Sequence, residues 1–444
     1  MESFFDIVST VAIFIGAIMI LVFIHELGHF LAAKLFGMKV ERFSVGFPPR
    51  IWGFQKGDTD YCIGATPLGG YVKIAGMVDE SMDNDFLDRE PEPWEYRSKP
   101  VYQRIIVIIA GVVFNMILAF LIYTGLTMNY GKTVLPIENI SGIYITDDSI
   151  LKEIGFQNDD RIVGVNGKDA AYFSDLVSAS ALTSENVSYT VVRKGEEVII
   201  SMASSFLDSI RTRGFLSREL VLPSITSGIV KGSPADEAGL KANDQIISIN
   251  DEVVNYWVQL NSIIKSSTGT LDIKVKRDGG ILSFNNIEPT NDRTIGVYAP
   301  TLAQAGGERI SYGFFGSFKE GWVETKEQSV GIVQGFARLF SGDISVKENL
   351  GGPIAIANMT KQATETSGWI GFWCITALLS ITLAIMNILP IPALDGGHLV
   401  FLIYEGVTRK EPSEKVKIVA QNIGFFIILA LMVFVVFNDV IKLF

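Results

Sequence analysis

Histidine is nearly missing from this chain, with three in 444 residues, and cysteine is rarer still, with only Cys62 and Cys374. Two cysteines at that separation suit neither a disulfide framework nor a thiolate metal site, and they read as unpaired thiols without a role. Charge is sparse as well, at 19% of residues, and its balance is acidic, with a net −11. A chain so short of basic surface is not built for a polyanion, which argues against nucleic acid as a partner. A basic leader segment is also lacking at the N-terminus. The first apolar run is too long for a secretory signal and no small-residue cleavage site follows it, so it is expected to stay as a membrane span.

Apolar residues, by contrast, make up 48% of the chain. Four runs reach the roughly 20 residues that cross a bilayer: Phe5–Phe36, Ile105–Met128, Trp369–Leu389 with a broken continuation to Val407, and Val419–Ile441. Lys34, Lys39, Arg42, Arg50, Lys56 and Lys73 follow the first run, Lys99 and Arg104 precede the second, and Arg409, Lys410, Lys415 and Lys417 separate the third from the fourth. Cytoplasmic loops collect such cations, so those two loops are expected inside and the long 129–368 segment outside. Acidic residues cluster at Asp79, Glu80, Asp83, Asp85, Asp88, Glu90, Glu92 and Glu95, in a Pro-containing stretch that reads as a solvated cytoplasmic loop.

The three histidines fall in two motifs: His25 and His29 in HELGH, and His398 in LDGGH. On a helix, residues i and i+4 share a face, so His25 and His29 can hold one cation, and Glu26 then lies where it can take a proton from a metal-bound water. Two imidazoles and a carboxylate at the end of an apolar span are costly without a partner, which makes metal binding the expected use. Catalytic zinc takes a third protein ligand and keeps a position open. Asp395 and His398 both qualify. They follow Pro390 and Pro392, which break the helix, and flank Gly396 and Gly397, which let backbones approach closely. Chemistry alone leaves both open.

The outward segment contains a duplication. Gly155 and Gly239, Asp160 and Asp244, Asn166 and Asn250, and Arg193 and Arg277 are each 84 positions apart. Constant spacing over that length predicts a repeated small domain. The second copy, GSPADEAGLKANDQIISIN, resembles the PDZ domains of bacterial membrane and periplasmic proteases; the first departs from that signature, with Ser149–Ile150–Leu151 where Ser-Pro-Ala would stand. PDZ folds take up an extended peptide as an added strand, so peptide C-termini are expected partners. Beyond it, 307–368 holds amphipathic stretches with interleaved aromatics, expected as helices on or near the outer membrane surface.

HELGH on the first span, paired with Asn387, Pro390, Pro392, Leu394, Asp395, Gly396 and Gly397 in N-x-x-P-x-P-x-LDGG on a later one, resembles the site-2 protease family of intramembrane zinc metalloproteases. Four spans with tandem PDZ domains between the second and third match the bacterial regulator of sigma-E type. The resemblance covers nearly the whole chain. It implies Zn2+ held by His25, His29 and Asp395, with His398 not a ligand, and Glu26 as the catalytic residue. It likens TPLGGYVKIAG (66–76), with Gly69, Gly70, Tyr71, Val72 and Lys73, to a membrane-associated β-hairpin that presents substrate, and Val45–Gly46–Phe47 to a membrane-reentrant loop. Ala110–Gly111 with Asn115 is similar to an A-G-P-x-x-N stretch, although Val112 replaces the proline. Asn387 is a candidate for holding substrate backbone or an oxyanion.

The implied architecture is a polytopic α-helical membrane protein with four transmembrane helices, cytoplasmic membrane-associated β-hairpins and two extracytoplasmic α+β PDZ-like domains. Its expected parts are a first helix over 1–36, a β-rich loop and acidic linker over 37–100, a second helix over 101–128, PDZ-like domains over 129–222 and 223–306, amphipathic helices over 307–368, a third span over 369–408 and a fourth over 409–444. The expected location is the bacterial cytoplasmic (inner) membrane, with the active site toward the cytoplasm. Expected substrates are single-span membrane proteins, of the anti-sigma factor type already trimmed by a first protease. Clearance of remnant signal peptides by the same chemistry is one alternative reading. The other is a non-proteolytic PDZ scaffold with a structural metal.

Overall fold

The computed structural model describes residues 2–77, 90–146, 149–177, 187–202, 218–341 and 351–441. By contacts the chain divides into two compact units, one formed by Met1–Tyr130 with Tyr312–Phe444 and the other by Gly131–Ser311.

The first unit is helical. Helix α1 (Glu2–Leu35) carries the HELGH motif near its end. It stops because Gly37 takes a left-handed conformation (φ 65°), which lets the Met38 N–H reach back to the Ala33 carbonyl at 2.9 Å. Among the described residues, its other long helices are α2 (Val101–Tyr130), α3 (Phe314–Ser341), α4 (Pro353–Ile388), α5 (Asp395–Thr408) and α6 (Glu414–Ile441). Among the described residues, four segments are long and apolar enough to cross a membrane: Val8–Leu35, Val101–Tyr130, Ser367–Ile388 and Lys415–Ile441. They coincide with the four runs read from composition. Much of their apolar surface is exposed, as on Phe426, Val433 and Phe437 of α6, as suits helices whose solvent is lipid.

Strands β1 (Val40–Lys56) and β2 (Thr59–Ile74) form an antiparallel pair that doubles on itself. Phe43 pairs with both Val72 and Tyr61, and Ser44 with both Tyr71 and Cys62, while Trp52–Lys56 pairs back onto Thr59–Ile63. The fold of this ribbon depends on Gly46 (φ 95°), where an added Cβ would meet the Gly64 carbonyl oxygen at 2.7 Å. Beneath it Val40, Phe43, Val72 and Ile74 pack with Ala33 of α1 and Val107 of α2 in one buried cluster. The sheet is thereby fixed to the end of α1 that bears the histidines.

Helix α3 packs on α2: the Phe318 and Trp322 rings lie 5.7 and 6.4 Å from that of Phe120, and a Cβ on Gly321 would strike Thr124 Oγ1. The amphipathic character of 314–341 is thus satisfied in part by a helix neighbour. Helix α4 breaks at Gly368 (φ 58°, ψ −142°), where its apolar span begins. Its N-terminus is capped from α6: Asp439 Oδ1 accepts the Gly352 N–H at 2.9 Å, and Oδ2 accepts those of Ile354 and Ala355 at 3.0 and 3.1 Å.

Glu95 departs from the expectation of a solvated acidic loop. It is fully buried, packs on Gly76 and accepts a hydrogen bond from Arg97 Nε at 2.7 Å. An ion pair with local hydrogen bonds satisfies the carboxylate where bulk water does not. Glu90 and Glu92 are exposed as expected, and Asp79, Glu80, Asp83, Asp85 and Asp88 lie outside the described residues.

The second unit contains the duplication. One sheet orders its strands as Lys168–Asp169, Arg161–Val165, Val187–Arg193 and Glu196–Met202; the other as Glu252–Val253, Gln245–Ile249, Leu271–Arg277 and Gly280–Ile287. The order is the same. Each copy has its own core, with Ile162, Tyr189 and Val191 in one and Ile246, Ile273 and Val275 at the matching positions of the other. Arg193 grips the buried Asp160 through Nε and Nη2 at 2.8 and 2.7 Å, and Arg277 grips Asp244 at 2.6 and 2.7 Å. Both arginines also donate to a helix-ending carbonyl, of Gly155 or Gly239, each of these glycines being left-handed. The departure at Ser149–Ile150–Leu151 leaves the capping intact: Ser149, like Ser233, accepts a backbone N–H at a helix start.

Candidate metal centre

His25 and His29 point from one face of α1, with their Nε2 atoms 3.2 Å apart. Asp395 Oδ2 lies 3.2 Å from His25 Nε2 and 3.5 Å from His29 Nε2. A tetrahedral zinc with bonds of about 2.0–2.1 Å has ligands about 3.3 Å apart, and the three distances agree with that edge. Among the described residues these are the three whose ligand atoms gather around one point. His29 Nδ1 lies 2.8 Å from the Val107 carbonyl oxygen, to which it donates, so the lone pair of Nε2 faces the centre. Asp395 Oδ2 is buried and, among the described residues, has no hydrogen-bond partner. Converging lone pairs and an orphaned carboxylate oxygen repel one another unless a cation lies among them, so the donor set fits a divalent metal.

Three helices supply this arrangement, and glycines let them close. A Cβ on Gly28 of α1 would lie 2.4 Å from the Ala110 carbonyl oxygen of α2, and one on Gly111 would lie 2.4 Å from His29 Nε2. Asp395 is the first residue of α5, after the break at Pro390–Leu394, where Ala393 takes φ 87°. Cβ atoms on Gly396 and Gly397 would collide with the Leu389 and Ile391 carbonyls, so only glycine allows the chain to turn that tightly. The turn puts the carboxylate opposite the two imidazoles.

Glu26 is buried and borders the same cavity, as do Asn387, Gly70, Tyr71, Val72 and His398. Asn387 Nδ2 lies 3.1 Å from His25 Nε2, placing a carboxamide beside the metal-facing nitrogen. A Cβ on Gly70 would meet Glu26 Cγ at 3.2 Å and Val22 Cγ1 at 2.6 Å, so the backbone of β2 passes directly over Glu26. Tyr71 also accepts a hydrogen bond from Arg42 Nη1 at 3.1 Å. Gly46, Gly69 and Lys73 do not line the cavity: Gly46 shapes the ribbon, Gly69 packs under the Phe47 ring, and Lys73 lies 3.4 Å from Glu41. His398 borders the cavity without joining the three converging ligand atoms. Sequence reasoning passed over the Val107 carbonyl, a backbone group with no side-chain signature. It also passed over Gly28, whose only signal was its place inside HELGH.

Comparison with known proteins follows this geometry. The chain is similar to the regulator of sigma E protease of Haemophilus influenzae (31% identity, covering 97% of this chain and 98% of that one). It is similar to the regulator of sigma-E protease RseP of Escherichia coli (29%, covering 97% and 98%). A third relative is the zinc metalloprotease RasP of Oceanobacillus iheyensis (28%, covering 98% and 100%). The model of peptidase family M50 matches residues 13–431, nearly the whole length, and the chain therefore belongs to that family, the site-2 proteases.

Proposed function

We propose that this protein is a zinc endopeptidase of the bacterial inner membrane that cuts single-span membrane proteins within their transmembrane segments. The observation that carries this reading is the convergence of His25, His29 and Asp395 beside the buried Glu26, on helices of membrane-crossing length. Zinc supplies Lewis acidity toward the scissile carbonyl and toward water, and relatives named zinc metalloproteases support that metal. Glu26 accepts a proton from the attacking water and returns it to the departing amine. Asn387, 3.1 Å from His25 Nε2, offers its N–H groups to the carbonyl oxygen as negative charge builds there.

A peptide bond inside a helix is shielded by the helix's own hydrogen bonds, so a substrate must first unwind. Residues 70–74 of β2 pair on one side with β1 and, among the described residues, have no strand partner on the other. An unwound segment added there has its freed backbone groups satisfied, which lipid cannot do. Because Gly70 lies over Glu26, that edge runs beside the reacting groups. His25 lies ~27 Å along α1 from Ile7, which supports a reaction toward the cytoplasmic face. The duplicated domains act as extracytoplasmic PDZ domains that exclude substrates with bulky outer parts or hold a C-terminus left by a first cut. Relatives named regulators of sigma E favour an anti-sigma factor as substrate.

Reconstitution in lipid with a single-span substrate tests the reading. Mass spectrometry of the products should place the cut within the apolar segment, chelation should abolish it, and added zinc should restore it. Cleavage confined to loops, or unaffected by metal removal, contradicts the proposal.

A further inference from the structure

Asn115, on α2, is fully buried, and its Nδ2 lies 3.3 Å from His25 Nδ1, while its Oδ1 is enclosed and, among the described residues, has no hydrogen-bond partner. For His25 Nε2 to face a metal with its lone pair, Nδ1 must carry the proton. Two N–H groups then oppose each other, and an acceptor stands unused on the same side chain. A half-turn of the carboxamide, whose oxygen and nitrogen are nearly isosteric, removes the opposed N–H groups: Oδ1 takes the place of Nδ2 and accepts from Nδ1–H.

We propose that Asn115 is the positioning residue for His25, the counterpart of what the Val107 carbonyl does for His29. The two imidazoles would then each donate from Nδ1 to a group of α2, and both would turn Nε2 toward Asp395. The Gly111 carbonyl of α2 also faces His25, as the Val107 carbonyl faces His29, so the carboxamide orients the imidazole beside a backbone acceptor of the same helix. Asn115 is itself held from α4, where Ser380 Oγ donates to the Asn115 backbone carbonyl at 2.8 Å. Orientation of one ligand on α1 is in this way referred to two other helices.

The inference rests on the metal-centre reading above and is tested on the purified full chain in detergent. Zinc affinity is measured by competition with a chromogenic chelator, and the visible spectrum is recorded after cobalt substitution. Asn115→Leu, similar in volume but without an acceptor, should bind zinc about 10–100-fold more weakly and shift the cobalt bands. Asn115→Asp, which keeps an acceptor oxygen, should restore most of the affinity and the wild-type bands. Asn115→Ala gives the same comparison without branched bulk if the leucine variant does not accumulate. Unchanged zinc affinity and spectrum in folded Asn115→Leu or Asn115→Ala overturns the proposal, as does an Asp variant no better than either. A wild-type chain that binds no zinc instead refutes the metal-centre reading itself.

Discussion

Gly111 shows how far the centre depends on a missing side chain. The methyl group of Gly111→Ala would lie 2.4 Å from His29 Nε2 and 2.7 Å from His25 Cε1, inside any real contact distance. This variant is expected to lose at least tenfold in zinc affinity, by displaced imidazoles, and metal analysis of the purified protein checks it. Asp395 and His398 separate in the same assay. Asp395→Asn removes a charged oxygen that faces both Nε2 atoms and should release zinc, whereas His398→Ala should keep it. HELGH was legible at this scale because i, i+4 spacing fixes a helix face whatever surrounds it. The choice between Asp395 and His398 was not legible in chemistry alone. It turns on a backbone reversal at Ala393, a non-glycine residue at φ 87°, and residue identities alone do not foretell that geometry.

Between elements, two kinds of tie stand out. Asp439 on α6 caps the start of α4 through three N–H groups, so Asp439→Ala leaves buried donors without an acceptor. A loss of about 1–2 kcal/mol is expected, read as faster hydrogen exchange at Gly352, Ile354 and Ala355 than in wild type. In the duplicated unit, Arg277→Ala strips the fully buried Asp244 of its paired donors. About 2 kcal/mol should be lost from the second copy, with the first copy's exchange unchanged because each has its own core. The four long apolar helices were readable from the sequence because a bilayer-length apolar run is visible in composition alone. The 84-residue repeat was readable because Asp, Arg, Asn and Gly recur in register, each for a turn, a cap or a buried ion pair. Burial of Glu95 was not, since it depends on Gly76 and Arg97 folding against it, and local composition pointed to solvent.

For the whole molecule, the account assigns the cut to the helical unit and selection of substrates to the duplicated one. Removing 135–305 should let single-span proteins with intact outer domains be cleaved, and an unchanged substrate range would remove the exclusion role. The central claim is narrower: Glu26 moves the proton, and the three ligands hold the metal without it. The most direct measurement pairs zinc content with cleavage of a single-span substrate for wild type and Glu26→Gln, both reconstituted in lipid. One zinc per chain is expected in both proteins, with cleavage by the variant reduced by a factor of at least about 100 relative to wild type. A Glu26→Gln protein that holds zinc and cuts at the wild-type rate would contradict it.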